Sequence, residues 1–254
     1  MKRNTKIIVW TIVAIILLIG CAIGVLAYIN SSFEETRIYP DDSRKRPADT
    51  TFVVNGIELK MIGVNGGKIK CKGLNRTIEL KDFYIGETEV TQELWMSVMG
   101  VNPSVHKDSL LCPVEDMDLV ECLKFVHKLD SITGYDFNVQ SYPEWLYVSH
   151  LGTIDEYSPH NTLDSMAWYK KNSGNATHPV KQKRPNALGV YDMIGNVAEW
   201  TISGSDPLFF VMGGSYESEE ERCVPDVREV NHASIKTGSV GLRLVYYPKV
   251  EKEY

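Results

Sequence analysis

The sequence has none of the short motifs that mark several large enzyme classes. It contains no Cys-x-x-Cys pair, no His-Glu-x-x-His, no Gly-x-Ser-x-Gly and no phosphate-binding glycine loop. Dithiol redox, zinc-protease, serine-hydrolase and nucleotide-phosphate chemistry therefore have no support in the sequence. No internal repeat is visible either. The formal net charge of -6 at pH 7 argues against a nucleic-acid partner.

Cysteine is scarce, with five residues in a chain of 254. One of them, Cys21, lies in an apolar run near the N-terminus. The other four are Cys71, Cys112, Cys122 and Cys223, which makes an even number. An even number of cysteines in a domain outside the cytoplasm indicates disulfides.

The N-terminal region contains one long hydrophobic run. Residues 7–29 are apolar or small and carry no charge, which is enough to cross a hydrocarbon core of about 30 Å as a helix. Lys2, Arg3 and Lys6 precede the run. By the positive-inside rule this places the N-terminus in the cytoplasm and exports the remaining chain. We therefore expect a single-pass membrane anchor with a periplasmic or extracellular domain.

A lipoprotein signal is the alternative for the same run. Leu18-Ile19-Gly20-Cys21 resembles a bacterial lipoprotein box, in which Cys21 would be acylated and become the mature N-terminus. The apolar run continues past Cys21 to residue 29, whereas the apolar part of a cleaved signal is shorter. The length favours the uncleaved anchor, and both alternatives tether the domain to a membrane.

Composition divides the remaining chain into a linker, one domain and a short tail. Residues 30–50 mix both charges with Ser, Pro and Asp and are predicted to form an extended linker. Residues 51–249 contain no second linker and have the length of one domain. Residues 250–254 form a tail. The basic cluster at residues 44–46 is interpreted as a solvated part of the linker.

Strands and helices are both predicted in this domain. Strand-like runs at residues 52–54, 57–62 and 77–80 are separated by Asn-Gly and Gly-Gly turns, and further apolar strands are expected at residues 209–216 and 240–246. Three helices are predicted from their N-capping residues, which are Thr91, Asp118 and Ser141. Asp118 and Ser141 each have a capping-box partner three residues later, Glu121 and Glu144. Gly100 ends the first helix. The buried stripe of the second is predicted to contain Leu119, Cys122, Leu123, Val126 and Leu129.

The segment of residues 178–200, HPVKQKRPNALGVYDMIGNVAEW, combines turn formers with core residues. Its apolar positions have neither strand nor helix spacing, which predicts a long ordered loop pinned into a core. Ordered long loops are usually functional or held by a metal. The pattern HPV-x-Q-K-x-PN-x-LG-x-YDM-x-GNV-x-EW resembles the signature of the formylglycine-generating enzyme (sulfatase-modifying factor) family.

Other segments extend this resemblance across residues 52–247. FYIG-x-xEVT from Phe83, the run FFVMGGSY and the run VGLRLVY resemble further family segments. The segment from Asn138 departs from the family pattern, since Asn138, Gln140 and Tyr142 replace its Arg, Pro and Glu. The resemblance implies a C-type-lectin-like α+β fold with much irregular structure, here preceded by one transmembrane helix.

The resemblance also implies a calcium site. In the family, the positions matching Asp192, Gly195, Val197 and Glu199 hold calcium, the middle two through carbonyl oxygens. Calcium accepts about six to eight oxygens, a mixture of carboxylates and backbone carbonyls that such a loop can supply. Asp192 as a turn cap and Glu199 as a solvated residue remain the alternative.

Copper is not expected. Active family members oxidise a sulfatase cysteine with copper and dioxygen, using two cysteines shortly after the Gly-Gly-Ser strand. Here Ser218 holds the first place, and Cys223 is the second by the same count. Counting back from Gly241, Cys223 instead matches a structural cysteine. One thiolate gives copper(I) a single soft ligand, whereas the site needs the pair.

A disulfide between Cys122 and Cys223 follows from the resemblance, which places the helix of Cys122 against the region after Gly213-Gly214. Such a bridge would close a loop of about a hundred residues, worth about 4 kcal/mol in the chain-entropy model. Cys71 with Cys112 is the pair left by elimination. Separate buried thiols are the alternative.

A non-catalytic binding or scaffold module, exported and tethered to the membrane, is the function that this sequence favours. Its ligand would be a protein or glycan of the cell envelope. Formylglycine generation on a sulfatase is one alternative, and a structural subunit of an envelope secretion or gliding assembly is another. Fold alone does not choose among them.

Intact-mass measurement of the protein extracted from membranes tests the anchor. We expect a chain that keeps residues 7–29, because the run is long, uncharged and preceded by basic residues. A mature chain that begins at acylated Cys21 would establish the lipoprotein instead.

Overall fold

The computed structural model describes residues 36–71, 76–151, 163–202 and 209–248. The chain divides into two compact units, Met1–Arg37 with Lys70–Thr77 and Ile38–Ile69 with Ile78–Tyr254. The second unit contains all the sites discussed below. The tail at residues 250–254 and the predicted membrane run at residues 7–29 lie outside the described residues.

Strands and helices are mixed along the described chain. The strands, in chain order, are β1 (Arg37–Pro40), β2 (Thr50–Val54), β3 (Ile57–Val64), β4 (Gly67–Lys70), β5 (Thr77–Leu80), β6 (Phe83–Gly86), β7 (Phe137–Val139), β8 (Ala198–Thr201), β9 (Phe209–Met212), β10 (Arg228–Asn231), β11 (Val240–Gly241) and β12 (Leu244–Tyr246). The helices are α1 (Gln92–Met99), α2 (Leu119–Thr133), α3 (Tyr142–Leu151) and α4 (Leu163–Met166), with a 3-10 turn at Glu220–Arg222. This confirms the α+β class. No helix in the described ranges is long and apolar enough to span a bilayer.

The strands form three sheets. The largest has the order β2-β3-β6-β12-β7 and is antiparallel throughout. The second has the order β10-β9-β8-β11, in which only the β8 and β11 pair is parallel. The third is the small sheet β1-β4-β5.

The first two helices confirm the predicted caps. In α1, Thr91 Oγ1 accepts the N–H of Leu94 at 3.3 Å, and Gly100 ends the helix with φ 82°. A side chain is disfavoured at this left-handed φ, so glycine suits the stop. In α2, Asp118 and Glu121 form a reciprocal capping box. Capping residues therefore located both helix starts correctly.

The predicted buried stripe of α2 was wrong at one position. Leu123 is 44% exposed, whereas Phe125 is fully buried. Phe125 stacks on Trp95 of α1, with ring centroids 4.8 Å apart and planes 6° from parallel. Helix α1 therefore packs against the Phe125 face of α2, and Leu123 is left on the solvent side.

Helix α3 also follows its predicted cap. Ser141 N–H donates to Glu144 Oε2 at 2.7 Å, and Ser141 Oγ accepts the N–H of Glu144 at 3.4 Å. Trp145 and Val148 are fully buried, as predicted. The predicted stop at Gly152 lies outside the described residues.

Two predicted strands are shorter than expected, because left-handed glycines end one of them and a crossover between sheets divides the other. The strand predicted at residues 209–216 ends at Met212, since Gly213 and Gly214 have φ of 94° and 69°. These left-handed conformations are compatible with glycine but not with a continuing strand. The strand predicted at residues 240–246 is split into β11 and β12, which lie in different sheets. Residues 242 and 243 form the crossover and carry Arg243 into the interior.

The described part of the predicted linker, residues 36–50, is bound to the domain instead of being free. The Arg44 guanidinium makes two hydrogen bonds to the Asp82 carboxylate, at 2.8 and 2.9 Å. Arg46 donates to the carbonyl oxygen of Gly63 at 2.9 Å. A Cβ on Gly63 would lie 2.3 Å from the Pro47 carbonyl oxygen, so the segment and β3 are in close backbone contact. Residues 38–50 are therefore part of the folded unit.

Truncation of Phe125 tests the packing between α1 and α2. Phe125→Ala removes a fully buried ring and is expected to cost about 3–5 kcal/mol of unfolding free energy. Leu123→Ala on the same helix is the matched control, with an expected change within about 0.5 kcal/mol. Urea denaturation measures both. Equal losses for the two variants would contradict the described packing.

Candidate functional site

The loop before β8 is held by close approach to the backbone of Trp168. Asp192, Gly195 and Asn196 all have positive φ, at 53°, 76° and 57°. A Cβ on Gly195 would lie 2.3 Å from the Trp168 carbonyl oxygen, so no other residue fits there without a backbone shift. The Gly195 N–H donates to the Gly213 carbonyl at 3.0 Å. The glycine is therefore needed for packing as well as for the turn.

Asn196 uses both its backbone and its side chain to hold this loop. Its N–H donates to the Trp168 carbonyl at 2.7 Å, and its own carbonyl accepts from Tyr216 N–H at 2.8 Å. Its side-chain amide accepts from His178 N–H at 2.9 Å and donates to the His178 carbonyl at 3.1 Å. The amide also donates to Glu89 at 2.9 Å. Asn196 thus joins segments that are far apart in sequence, and its polar groups are satisfied in a buried position.

Glu89 is a buried carboxyl that supports the same loop. It is 1% exposed and accepts from Asn196 Nδ2 and from the Val197 N–H, the latter at 3.1 Å. Burial is the main cause that raises the pKa of Glu89 well above its ordinary value, and the charges of Asp192 and Glu199 add to it. A protonated carboxyl is therefore favoured at this position.

Arg243 and Glu199 form a fully buried ion pair beneath the loop. The guanidinium donates to Glu199 Oε1 from Nη2 at 2.7 Å and from Nε at 2.9 Å, and Nε lies 3.1 Å from Oε2. Glu199 Oε2 also accepts from Trp145 Nε1 at 3.0 Å and from Gln140 Nε2 at 2.5 Å. Both oxygens of Glu199 are thus committed to donors from three other segments.

The remaining donors of Arg243 go to backbone carbonyls. Nη1 donates to Gly86 at 3.0 Å, and Nη2 donates to Tyr191 at 2.8 Å and to Asp192 at 3.2 Å. The side chain is 0% exposed, yet each nitrogen of its fork has an acceptor. The planar fork of arginine suits such a multidentate arrangement.

Asp192 is the predicted ligand that keeps an available oxygen. Its Oδ2 accepts from the Lys181 N–H at 2.9 Å, whereas its buried Oδ1 has no hydrogen-bond partner among the described residues. The residue is 2% exposed. Burial raises the pKa of Asp192 to about 6, against the hydrogen bond from Lys181 that lowers it. The unsatisfied oxygen makes this side chain a costly one to keep ionised.

The four predicted calcium ligands differ in how far donors of the chain itself already engage them. Glu199 is fully used by Arg243, Trp145 and Gln140, and the Asp192 carbonyl also accepts from Arg243. The Val197 N–H is bonded to Glu89, and the Gly195 N–H to Gly213. The carbonyl oxygens of these two residues are the predicted ligands, and the Asp192 carboxylate keeps an oxygen without a hydrogen-bond partner among the described residues, so the calcium site stays a prediction.

The places of the family's copper cysteines do not fit copper. Ser218 Oγ accepts the N–H of Ser215 at 2.9 Å and lies 3.3 Å from Ser215 Oγ, so it closes a local turn. Cys223 follows the 3-10 turn and is 0% exposed, with its sulfur 3.0 Å from where a Cβ on Gly214 would be. Burial raises the pKa of Cys223 to about 12. A protonated, buried thiol is a poor copper ligand.

The predicted bridge between Cys122 and Cys223 is not formed in this structure, in which both are free thiols. Cys122 belongs to the core cluster around Phe125, which does not include Cys223. Burial raises the pKa of Cys122 as well, so both sulfurs are held as thiols. Cys112 is also a thiol and makes no bridge to Cys71; its sulfur lies 3.9 Å from the Thr177 carbonyl oxygen. Buried thiols of this kind act as small apolar side chains.

Comparison with known proteins agrees with the resemblance seen in the sequence. The profile of the sulfatase-modifying factor enzyme 1-like domain matches residues 41–247, most of the chain. The chain belongs to this family. A curated relative of this sulfatase-modifying factor domain is "Chaperone protein LppX" of Paenibacillus barcinonensis, at 31% identity, with 55% of this chain and 70% of that protein covered.

Solved structures with the same fold support this assignment. Treponema denticola variable protein 1 superposes with a TM-score of 0.72 at 28% identity, covering 80% of this chain and all of that one. PvdO from Pseudomonas aeruginosa gives a TM-score of 0.66 at 20% identity, covering 80% of this chain and 99% of that one. The second likeness, at this identity, concerns the fold alone.

Sequence reasoning missed the two residues that organise the sulfatase-modifying factor domain around Glu199. Arg243 was interpreted as part of an apolar strand, and Glu89 as part of a helix-preceding segment. The signal for Arg243 was present, since a single cation within VGLRLVY has to find a buried partner. Nothing local in the sequence indicated that this partner is Glu199.

The pH dependence of stability tests the buried state of Asp192. Its folded pKa of about 6 exceeds the unfolded value of about 3.9, so its stabilising effect is complete below about pH 4 and is lost as the pH rises through 6. The wild type should therefore lose stability relative to Asp192→Asn between pH 4 and 6. Urea denaturation across this range measures the difference.

Asp164→Asn is the control of opposite sign. Hydrogen bonds from Tyr169 and then Lys171 lower the pKa of Asp164, so its contribution is present above the unfolded pKa and is lost as the pH falls. If the unfolding free energy of wild type instead rose relative to that of Asp192→Asn between pH 4 and 6, Asp192 would not be buried as described.

Proposed function

We propose that this sulfatase-modifying factor domain is a non-catalytic binding module, tethered to a membrane on its extracytoplasmic side, that takes proteins as ligands. The observation that carries the non-catalytic part is Ser218. Its hydroxyl occupies the first place of the family's cysteine pair and is bonded to the Ser215 N–H at 2.9 Å. A hydroxyl used in a turn cannot replace a thiolate as a soft ligand for copper(I).

The choice of proteins as ligands is supported by an exposed apolar loop. The segment between α1 and α2 exposes four large apolar side chains within eleven residues: Val101 at 65%, Val105 at 62%, Leu110 at 47% and Leu111 at 54%. Single exposed apolar residues are ordinary, whereas four of them in one loop support an interaction site. The relative whose name is that of a chaperone points in the same direction. Envelope glycans remain the alternative ligand.

The membrane tether in this proposal depends on residues 7–29 and their basic flank. An uncharged run of this length supports a span, and the flank supports export of the domain. Acylation at Cys21 is the competing form of attachment. Either form would hold the loop at residues 101–111 in a compartment where exported proteins pass.

A client-aggregation assay tests the exposed loop. The full-length protein in detergent should suppress light scattering by a chemically denatured model protein. Val105→Asp and Leu111→Asp should weaken this effect several-fold, because a charge removes apolar contact area. Val53→Asp is the matched control, since Val53 is 69% exposed but lies on the edge strand β2. An equal effect of all three substitutions would contradict the assignment of the loop.

Copper titration of the reduced protein distinguishes the proposed non-catalytic module from a formylglycine-generating oxidase. We expect no stoichiometric copper(I) binding in competition with a chromophoric chelator, because Cys223 is the only cysteine at the two places of the family's copper pair and it is buried. One copper(I) per chain, lost in Cys223→Ser, would restore the oxidase hypothesis. Conversion of a sulfatase cysteine peptide, followed by mass spectrometry, would establish it.

A further inference from the structure

A cavity of about 320 Å³ opens beside strands β4 and β5. It is lined by residues 39–41, 44, 66–68 and 79–80, all of which belong to the second compact unit. The cavity shares no lining residue with the loop at residues 178–200 or with the exposed apolar loop at residues 101–111. Small-molecule sites typically measure about 300–1,000 Å³, so this cavity is large enough for a small metabolite.

Arg44 holds one wall of this cavity. Its guanidinium donates to Asp41 Oδ2 at 3.0 Å and to the two carboxylate oxygens of Asp82 at 2.8 and 2.9 Å. Asp82 also accepts the Gly66 N–H at 2.8 Å, which fixes the backbone at the start of β4. Two carboxylates therefore share one guanidinium, and the wall keeps a net charge of -1. This excess of negative charge favours a ligand with a positive group.

Lys68 and Glu79 bring charges of both signs into the same cavity. Both side chains line it, Lys68 from β4 and Glu79 from β5, and both residues are exposed. Within the described ranges, neither side chain forms an ion pair with the other or with a third residue. Each therefore remains available to a group of opposite charge on a ligand.

A neutral hydrogen-bond donor lies behind the cavity wall at Gly67. The Tyr147 hydroxyl is 2.3 Å from where a Cβ on Gly67 would be, and Tyr147 is 0% exposed. This hydroxyl has no hydrogen-bond partner in the described part of the chain. Burial raises the pKa of Tyr147 to about 12, and the carboxylates of Asp42, Asp41 and Asp82 contribute in the same direction. A buried phenol without a partner is costly, and a polar ligand beside Gly67 offsets that cost.

We propose that this cavity binds a free amino acid that carries a second ammonium group, for which L-lysine is the probe. Lys68 binds the carboxylate of the ligand, Glu79 binds one ammonium, and the negatively charged wall at Asp41 binds the other. A zwitterion matches the unlike charges of Lys68 and Glu79, and the additional ammonium matches the excess charge beside Arg44. Pairs of exposed charges each contribute little, so the dissociation constant is expected to be about 1 mM.

Ligand-observed NMR titration of the full-length protein in detergent tests the ligand chemistry. L-Lysine should bind saturably. Norleucine lacks the side-chain ammonium and cadaverine lacks the carboxylate, so each should bind about fivefold more weakly. Nα-acetyl-lysine amide, which represents a lysine within a protein chain, has lost both α charges and should also bind about fivefold more weakly. Absence of lysine binding, or equal binding of lysine and any of these three compounds, would overturn the proposal.

Substitutions of exposed side chains assign each charge of the ligand to its partner. Lys68→Met should weaken lysine binding about fivefold and leave cadaverine binding unchanged, because cadaverine has no carboxylate. Glu79→Gln should weaken the binding of both compounds about fivefold. Lys124→Met is the matched control, since Lys124 is an exposed lysine of α2 that does not line the cavity. A loss of lysine binding in Lys124→Met equal to that in Lys68→Met, or a loss of cadaverine binding in Lys68→Met, would contradict the assigned contacts.

Discussion

The buried ion pair of Arg243 and Glu199 is the interaction on which the rest of the structure depends. Glu199 lies in β8 of the four-stranded sheet, whereas Arg243 lies where the chain crosses to β12 of the five-stranded sheet. The pair therefore links the two larger sheets through three side-chain hydrogen bonds. An apolar pair of equal volume could be as stable, but it would not fix the backbone carbonyls around it. The pair therefore contributes more to the positions of these backbone carbonyls than to the free energy of unfolding.

Features with a local cause could be predicted from the sequence. The starts of α1, α2 and α3 follow from Thr91, Asp118 and Ser141, because a capping side chain bonds to backbone groups only a few residues away. The stop at Gly100 has an equally local reason. Strand limits were less certain, since Gly213 and the crossover at Arg243 interrupt runs that look continuous in the sequence.

Features with a tertiary cause could not be predicted. Leu123 and Phe125 are both apolar residues of one helix, and only the position of Trp95 decides which of them is buried. In the same way, Glu199 was predicted to share a calcium site with Asp192, whereas the structure shows it paired with Arg243, 44 residues further along the chain. The resemblance to the family supplied the loop and its neighbours. It did not show that an arginine binds both carboxylate oxygens of Glu199.

Residues 38–50 are bound to the domain, and this limits how far the domain can lie from the proposed membrane span at residues 7–29. Arg44 and Arg46 hold this segment against Asp82 and Gly63, so it cannot act as a flexible spacer. Between residue 29 and this bound segment, residues 30–37 reach about 28 Å at full extension, whereas a free chain of residues 30–50 would reach about 70 Å. In the proposed membrane-anchored form, this short reach would keep the domain in the layer beside the bilayer. The proposed protein ligands would then meet it at a high local concentration as they leave the membrane, before they diffuse away.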